Sequence, residues 1–350
     1  MVLIISIIKK ITAFIAAFMF TWNTNAFAEA TAPNTSAESV CLMCSGNILY
    51  EKNADRRMPM ASTTKLMTAI VALECCHLDE NVEIRAEDCT VEGSSMYLKG
   101  GDRLSVEELL KGLLLVSGND AAKALARYTA GSEEKFAELM NKKADDIGMT
   151  NTHFTNPHGL SDKQHYSTAH DMALLMEYCM KNNSFREING MKTALVKGQT
   201  LINHNKLLFS CKGCSGGKTG FTEAAGRCLV SSCKRNDVEL VCVTLSAPDD
   251  WKDHAALYNW AFSEFELRNV TDGLRFPVPL ISDDKREVFV SAQESFCIPA
   301  RRNAEVTVKA CLPWFVFPPV SAGEIAGKAL VEVDGASAGE YYLVYNEDSM

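Results

Sequence analysis

The sequence predicts a mixed α/β fold, an antiparallel sheet with helices packed on it, followed by a small all-β C-terminal domain. Three observations carry this. Residues 218–222, 227–234 and 239–247 are short β-type runs close together in the chain, the spacing of antiparallel neighbours. Several segments between Pro59 and Lys181 carry apolar residues at helical spacing. Beyond about Asn269 that periodicity stops, and strand-like runs at 287–291, 305–310, 329–333 and 341–345 alternate with Pro277, Pro279, Pro313, Pro318 and Pro319.

Taken in order, residues 1–28 read as a secretory signal peptide. Lys9 and Lys10 precede an apolar run, and Ala26-Phe27-Ala28 is an A-x-A cleavage signal. The rival, an uncleaved membrane anchor, fits less well because the run is short for a span. Residues 29–38 are small and polar, as in a disordered linker. Residues 40–44 and 48–51 form a hairpin across Ser45-Gly46-Asn47. A helix opens near Ser62, and Leu66, Met67, Ala69, Ile70, Val71 and Leu73 make it apolar nearly all round, as in a helix buried within a domain. Ser105 and Glu108 form a capping box for a helix over 106–116, with Gly118 as its breaker. Helices follow over 120–130, 133–147 and 168–181, and a turn-rich loop spans 154–159. Residues 211–217 read as a glycine-rich bend, and 250–265 as an amphipathic helix. The expected domains are therefore 39–268 and 269–350.

At 350 residues, 47% hydrophobic and 23% charged, the chain can bury a sizeable core. Its formal net charge is −9, and removal of residues 1–28 with their two lysines makes it more negative. That argues against nucleic acid as a partner, which needs a basic face. Thirteen cysteines is an odd count, so not all can pair within one chain. Cys41/Cys44, Cys75/Cys76, Cys211/Cys214 and Cys228/Cys233 are the close candidates. A zinc reading of the two C-x-x-C pairs competes with buried thiols acting as small hydrophobes, because 41–44 has strand alternation and Cys211 and Cys214 flank a loop.

Three short motifs carry the chemistry. Ser62-Thr63-Thr64-Lys65 places a hydroxyl and an amine one helical turn apart, on one face. A serine hydroxyl needs such a base to become a nucleophile at neutral pH. A helix N-terminus stabilises a developing oxyanion and disfavours a charged lysine, and burial acts in the same direction. Ser117-Gly118-Asn119 breaks two helices and aims short polar side chains into a cleft. Lys218-Thr219-Gly220 lies on a strand after Gly216-Gly217, with Gly220 allowing a close backbone approach. Each motif alone reads more readily as a cap, turn or strand end. Their joint occurrence in this order, each in a matching context, favours a site.

With these residues in view, the chain resembles the penicillin-recognising serine enzymes, and most of all the low-molecular-weight D-alanyl-D-alanine carboxypeptidases of serine peptidase family S11. The similarity extends to residues 49–55, to Asn156-Pro157-His158-Gly159-Leu160, and to Lys218-Thr219-Gly220-Phe221-Thr222 with Ala225-Gly226, covering roughly 38–265. The resemblance implies a β-lactamase/transpeptidase-like sandwich with helices on both faces of the sheet. It implies Ser62 as nucleophile, Lys65 as base, Ser117 as proton shuttle and Asn119 as the residue orienting Lys65 and the substrate amide. Lys218 and Thr219 would hold the substrate carboxylate, and the backbone N–H groups of Ser62 and Phe221 would form the oxyanion hole, with Gly220 between them and Lys218. The implied substrate is a peptidoglycan stem peptide ending in D-Ala-D-Ala, with β-lactams as inhibitors and no metal or organic cofactor. Export places it on the wall side of the cytoplasmic membrane. Family members often end in an amphipathic helix that none of residues 346–350 supplies, which leaves membrane association open. His204 reads as a loop histidine near the site, and His158 as structural.

Two other functions compete. A class A-like β-lactamase would need a second carboxylate to activate water, usually has Asp where Gly118 stands, and would not explain the second domain. A non-catalytic wall-binding protein would be expected to carry degenerate motifs, whereas all three are intact. A Ser/His/Asp peptidase is weaker, since no G-x-S-x-G surrounds Ser62.

Overall fold

The computed structural model describes residues 31–281 and 287–349. The expected signal peptide and the start of the expected linker lie outside these residues. The remainder of that linker is anchored: Ser36 donates from its N and Oγ to Asp253 Oδ2 at 3.0 and 2.7 Å, and Ala37 is buried.

In chain order, β1 (Ser39–Cys44) and β2 (Asn47–Lys52) form the expected hairpin. A 3-10 turn, Ala61–Thr64, runs directly into α1 (Lys65–Cys75). Short strands β3 (Asn81–Glu83) and β4 (Arg103–Ser105) pair before α2 (Val106–Leu115). The capping box is present: Glu108 N donates to Ser105 Oγ at 3.1 Å, and Ser105 N donates to Glu108 Oε2 at 2.9 Å. Next come α3 (Asn119–Ala130), α4 (Glu133–Asp146), α5 (Ala169–Lys181) and α6 (Asn183–Gly190). The hairpin β5 (Thr193–Val196) and β6 (Gln199–Ile202) and the single turn α7 (Leu207–Ser210) lead to β7 (Cys214–Thr222). Then β8 (Gly226–Arg235), β9 (Val238–Leu245) and α8 (Asp250–Glu264) complete this part.

The main sheet has the order β2-β1-β9-β8-β7, all antiparallel, so β7 is an edge strand. Residues on its strands alternate between two cores, as the pleat requires. Cys41, Met43, Val230, Val241 and Val243 face a core built with α1 to α6. Val40, Leu42, Cys44, Cys233 and Cys242 face Leu257, Tyr258 and Ala261 of α8. Each fully buried apolar side chain of this kind contributes roughly 1.5–3 kcal/mol. Cys41 and Cys44 thus point into different cores and cannot share one ion. Among the described residues no group of three or more His, Cys, Asp or Glu is placed to hold a metal.

The β-rich part begins at β10 (Phe265–Asn269), at the very end of α8. β11 (Phe276–Pro279), β12 (Glu287–Ala292), β14 (Val306–Cys311), β15 (Ile325–Val333) and β16 (Ala336–Tyr345) form a second sheet in the order β11-β12-β16-β15-β14, and β13 (Cys297–Arg301) pairs with β10. Its core includes Val278, Val290, Ile298, Val331 and Leu343. No helix among the described residues is long and apolar enough to cross a membrane.

Several local expectations need correction. The bend expected at 211–217 is shorter, because Cys214, Gly216 and Gly217 already pair with Cys233, Ser232 and Ser231 across a bulge. A ladder needs only backbone groups, so glycines do not prevent it. The break after α2 is made by Ser117 in the left-handed region (φ +63°), not by Gly118 (φ −56°). The helix α6 and the hairpin β5–β6 were not expected.

Candidate active site

Ser62 stands on the 3-10 turn, and the chain enters it through Ala61 at φ +48°. That shape is held from behind. Thr64 Oγ1 donates to Ala61 O at 2.8 Å and lies 2.7 Å from His165 Nε2. His165 Nδ1 accepts from Thr155 N at 3.0 Å, which makes Nε2 the protonated nitrogen of a neutral ring. Burial holds this imidazole down to about 3, so it stays neutral at working pH. Gly159 closes over the same turn at φ +86°, where a Cβ would collide with the Ala61 carbonyl oxygen.

Lys65 is fully buried, and its Nζ has three neighbours: Ser62 Oγ at 3.0 Å, Asn119 Oδ1 at 2.6 Å and His158 O at 2.6 Å. Desolvation holds its pKa well below the usual lysine value, and the Lys218 charge adds to this, while Asp120 opposes it. Asn119 cannot turn, because its Nδ2 donates to Glu92 O at 2.6 Å and its N to Ser94 O at 2.7 Å. Asp120 staples the facing loop, with Oδ1 accepting from Met96 N (3.0 Å) and Oδ2 from Leu98 N (3.0 Å) and Ser95 Oγ (2.6 Å). Ser117 Oγ is buried beside this network and has no hydrogen-bond partner among the described residues.

The third motif approaches from the sheet. Gly220 packs onto the Ser62 turn so closely that a Cβ would lie 3.0 Å from both Ser62 N and Met60 O. The room left by this glycine is filled by the chain's own nucleophile turn rather than by substrate. Lys218 is buried, its Nζ donates to Thr219 O at 2.9 Å, and desolvation pulls it down to about 7. Phe221 next to it is exposed at the edge. His204 lies near enough for the Lys218 charge to lower its pKa, after partial desolvation, and its N donates to Leu115 O at 3.0 Å. Buried Asn189 braces the strand by donating to Gly217 O at 3.3 Å. A cavity of about 450 Å³ is lined by Pro59, His165, Tyr166 and Ala224.

Ser62, Lys65 and Asn119 are therefore in direct contact, with Ser117 in the turn that presents Asn119 and Lys218-Thr219-Gly220-Phe221 on the adjoining edge. Sequence reasoning missed Asp120, His165, Asn189 and the His158 carbonyl. His158 does serve the site, but through its backbone: its ring accepts from Leu160 N at 3.2 Å and reaches Glu133 at 3.4 Å.

A sheet with helices on both faces and, beside its edge strand, a serine in contact with a buried lysine defines the class of penicillin-recognising serine enzymes. Within it, the chain belongs to the peptidase S11 family of D-alanyl-D-alanine carboxypeptidases, whose model matches residues 26–249. It is 33% identical to D-alanyl-D-alanine carboxypeptidase DacC of Escherichia coli, over 95% of this chain and 90% of that one. It is 29% identical to DacF of Bacillus subtilis, over 96% and 93%. Among solved structures, penicillin binding protein 5 of Haemophilus influenzae superposes with a TM-score of 0.81 at 30% identity, covering 91% of this chain and 98% of that one. These matches run on past residue 269 into the β-rich part.

Proposed function

We propose that this protein is an exported serine D-Ala-D-Ala carboxypeptidase that removes the terminal D-alanine from peptidoglycan stem pentapeptides, and that β-lactams acylate the same serine. The observation that carries the reading is the environment of the Lys65 amine. Asn119 Oδ1 and His158 O can only accept hydrogen bonds. A neutral amine has two N–H donors and one lone pair. Giving both donors to these oxygens leaves the lone pair facing Ser62 Oγ, which is the arrangement a general base needs.

In the first half-reaction the Ser62 hydroxyl gives its proton to Lys65 Nζ, and Oγ attacks the carbonyl carbon of the penultimate D-alanine. The oxyanion lies against the backbone N–H groups of Ser62, on the 3-10 turn, and of Phe221, on β7. The C–N bond breaks and the proton passes, by way of the Ser117 hydroxyl, to the departing D-alanine amine. In the second half-reaction Lys65 takes a proton from water as the water oxygen attacks the ester carbonyl carbon; the bond to Ser62 Oγ then breaks, Lys65 gives the proton to Oγ, and the shortened peptide leaves. Lys218 holds the terminal carboxylate, and the peptide runs along the free edge of β7 as an added strand. A penicillin offers the same two features, a reactive amide and a carboxylate. The substrate lies outside the cytoplasmic membrane, so the reading includes export through residues 1–28.

The test is release of D-alanine from an N-acylated Lys-D-Ala-D-Ala peptide by the mature protein. Release that disappears in Ser62→Ala is expected. No release, or release unchanged by that substitution, contradicts the proposal.

A further inference from the structure

Cys211, Cys214 and Cys233 cluster at the root of β7, remote in sequence from Ser62. Cys211 ends α7, its N donating to Leu207 O at 2.8 Å. Cys214 opens β7 and stands opposite Cys233 in the β7–β8 ladder. The Lys212 carbonyl oxygen lies 3.4 Å from Cys233 Sγ and 4.0 Å from Cys211 Sγ, so the two sulfurs converge on one atom. Arg235 is fixed over the pair: Nε donates to Lys212 O at 3.1 Å, Nη2 to Asn259 Oδ1 at 2.9 Å and, at 4.0 Å, to Cys211 Sγ. Its guanidinium also stacks 4.5 Å from the Phe262 ring centre. Cys211 is partly exposed and Cys233 is buried.

We propose that Cys211 and Cys233 form a reactive thiol pair that closes to an intrachain disulfide on meeting a disulfide donor. The Cys211 thiolate attacks one sulfur of the donor, a mixed disulfide forms and one donor thiolate leaves. Cys233 Sγ, giving up its proton, then attacks the Cys211 sulfur and expels the second donor thiolate. Counted from the two thiols, the chain loses two electrons and two protons, and the donor disulfide gains the electrons.

The two sulfurs are suited to different halves of this exchange. The neighbouring Cys233 thiol, and after it the Arg235 charge, draw Cys211 down to about 6 against desolvation, whereas the Cys211 neighbour and burial push Cys233 up. Cys214 is pushed up to about 11 by desolvation, and its sulfur turns toward Gly216 O at 3.6 Å. It is a poor attacker. Buried Cys41, Cys179, Cys228 and Cys242 lie in the cores and are shielded as small hydrophobes. The bond ties the α7–β7 loop to β8 at the foot of the strand that carries Lys218. This inference does not depend on the peptidase reading.

The test mixes the reduced mature protein with dithiobis(nitrobenzoic acid) and follows thiolate release, intact mass and peptide maps. A fast phase releasing two thiolates per chain, leaving no adduct and joining Cys211 to Cys233, is expected. Cys233→Ser should convert it to one thiolate with an adduct retained on Cys211. Cys211→Ser, at a partly exposed position, should remove the fast phase, and Arg235→Gln should slow it about tenfold near pH 7. A lasting adduct on Cys211 in the unsubstituted protein, a Cys214–Cys233 bond, or first reaction at exposed Cys75 or Cys311 would overturn the proposal.

Discussion

The Nζ of Lys65 lies 2.6 Å from the Oδ1 of Asn119, and the amide cannot turn to offer its nitrogen instead, because Nδ2 is committed to Glu92 O. Asn119 therefore helps choose the protonation state of Lys65. Asn119→Asp keeps the shape and puts a negative charge against the amine, which favours the charged lysine. The expected result is a fall in kcat/KM of about 10²–10³ near neutral pH. The acid limb of the pH–rate profile should move to higher pH. An unmoved limb would mean that Asn119 acts only on substrate.

Ser117 combines a left-handed backbone with a buried hydroxyl that lacks a partner among the described residues. Both features cost stability and both fit a group held ready for a reacting proton. Ser117→Gly removes them. Thermal unfolding should show a gain of about 1 kcal/mol, while D-alanine release falls by at least about 10². A stability loss would show that the serine is there for packing.

Gly159 packs on the Ser62 turn at Ala61 and Thr64. A methyl group there meets the Ala61 carbonyl, and φ +86° strains any side chain. Gly159→Ala should cost about 1–3 kcal/mol in urea unfolding. Acylation by penicillin should slow in the fraction that remains folded, because the nucleophile turn is displaced. An unchanged acylation rate would show that the turn tolerates movement.

Much of this site was legible because its chemistry sits in side chains at fixed offsets. A hydroxyl and an amine three residues apart, or a lysine beside two glycines, can be read without coordinates. What was missed works through the backbone or across long separations. Lys65 uses the carbonyl of His158, to which any residue type could contribute. Asp120 adjoins Asn119 in sequence, yet its value lies in binding residues 95–98. The fold shows the same division. Helices with caps such as Ser105/Glu108 were found. Helix α6 was missed because eight residues give only Phe185 and Ile188 as an apolar pair. A signal for β5–β6 did exist in Lys197-Gly198, both at positive φ as a tight hairpin turn requires.

Lys218 offers a test of burial through pH. Its folded-state pKa of about 7 is below the ordinary lysine value of about 10.4. Between these values the unfolded chain binds more protons than the folded one, so this lysine's contribution to stability rises with pH. Below about 7 both states are protonated and its contribution is flat. Comparison with Lys218→Met isolates the effect. The stability of the wild type relative to the variant should improve from pH 7 to pH 10 by on the order of a few kcal/mol. A constant difference in urea unfolding at the two pH values would mean that the ammonium is solvated in the fold.

The central claim is that Lys65 activates Ser62 for acylation, and intact mass after addition of benzylpenicillin tests it most directly. The account predicts one adduct per chain, mapped to Ser62, absent from Ser62→Ala and formed far more slowly in Lys65→Met. An adduct on another residue, or acylation at an unchanged rate in Lys65→Met, would contradict it.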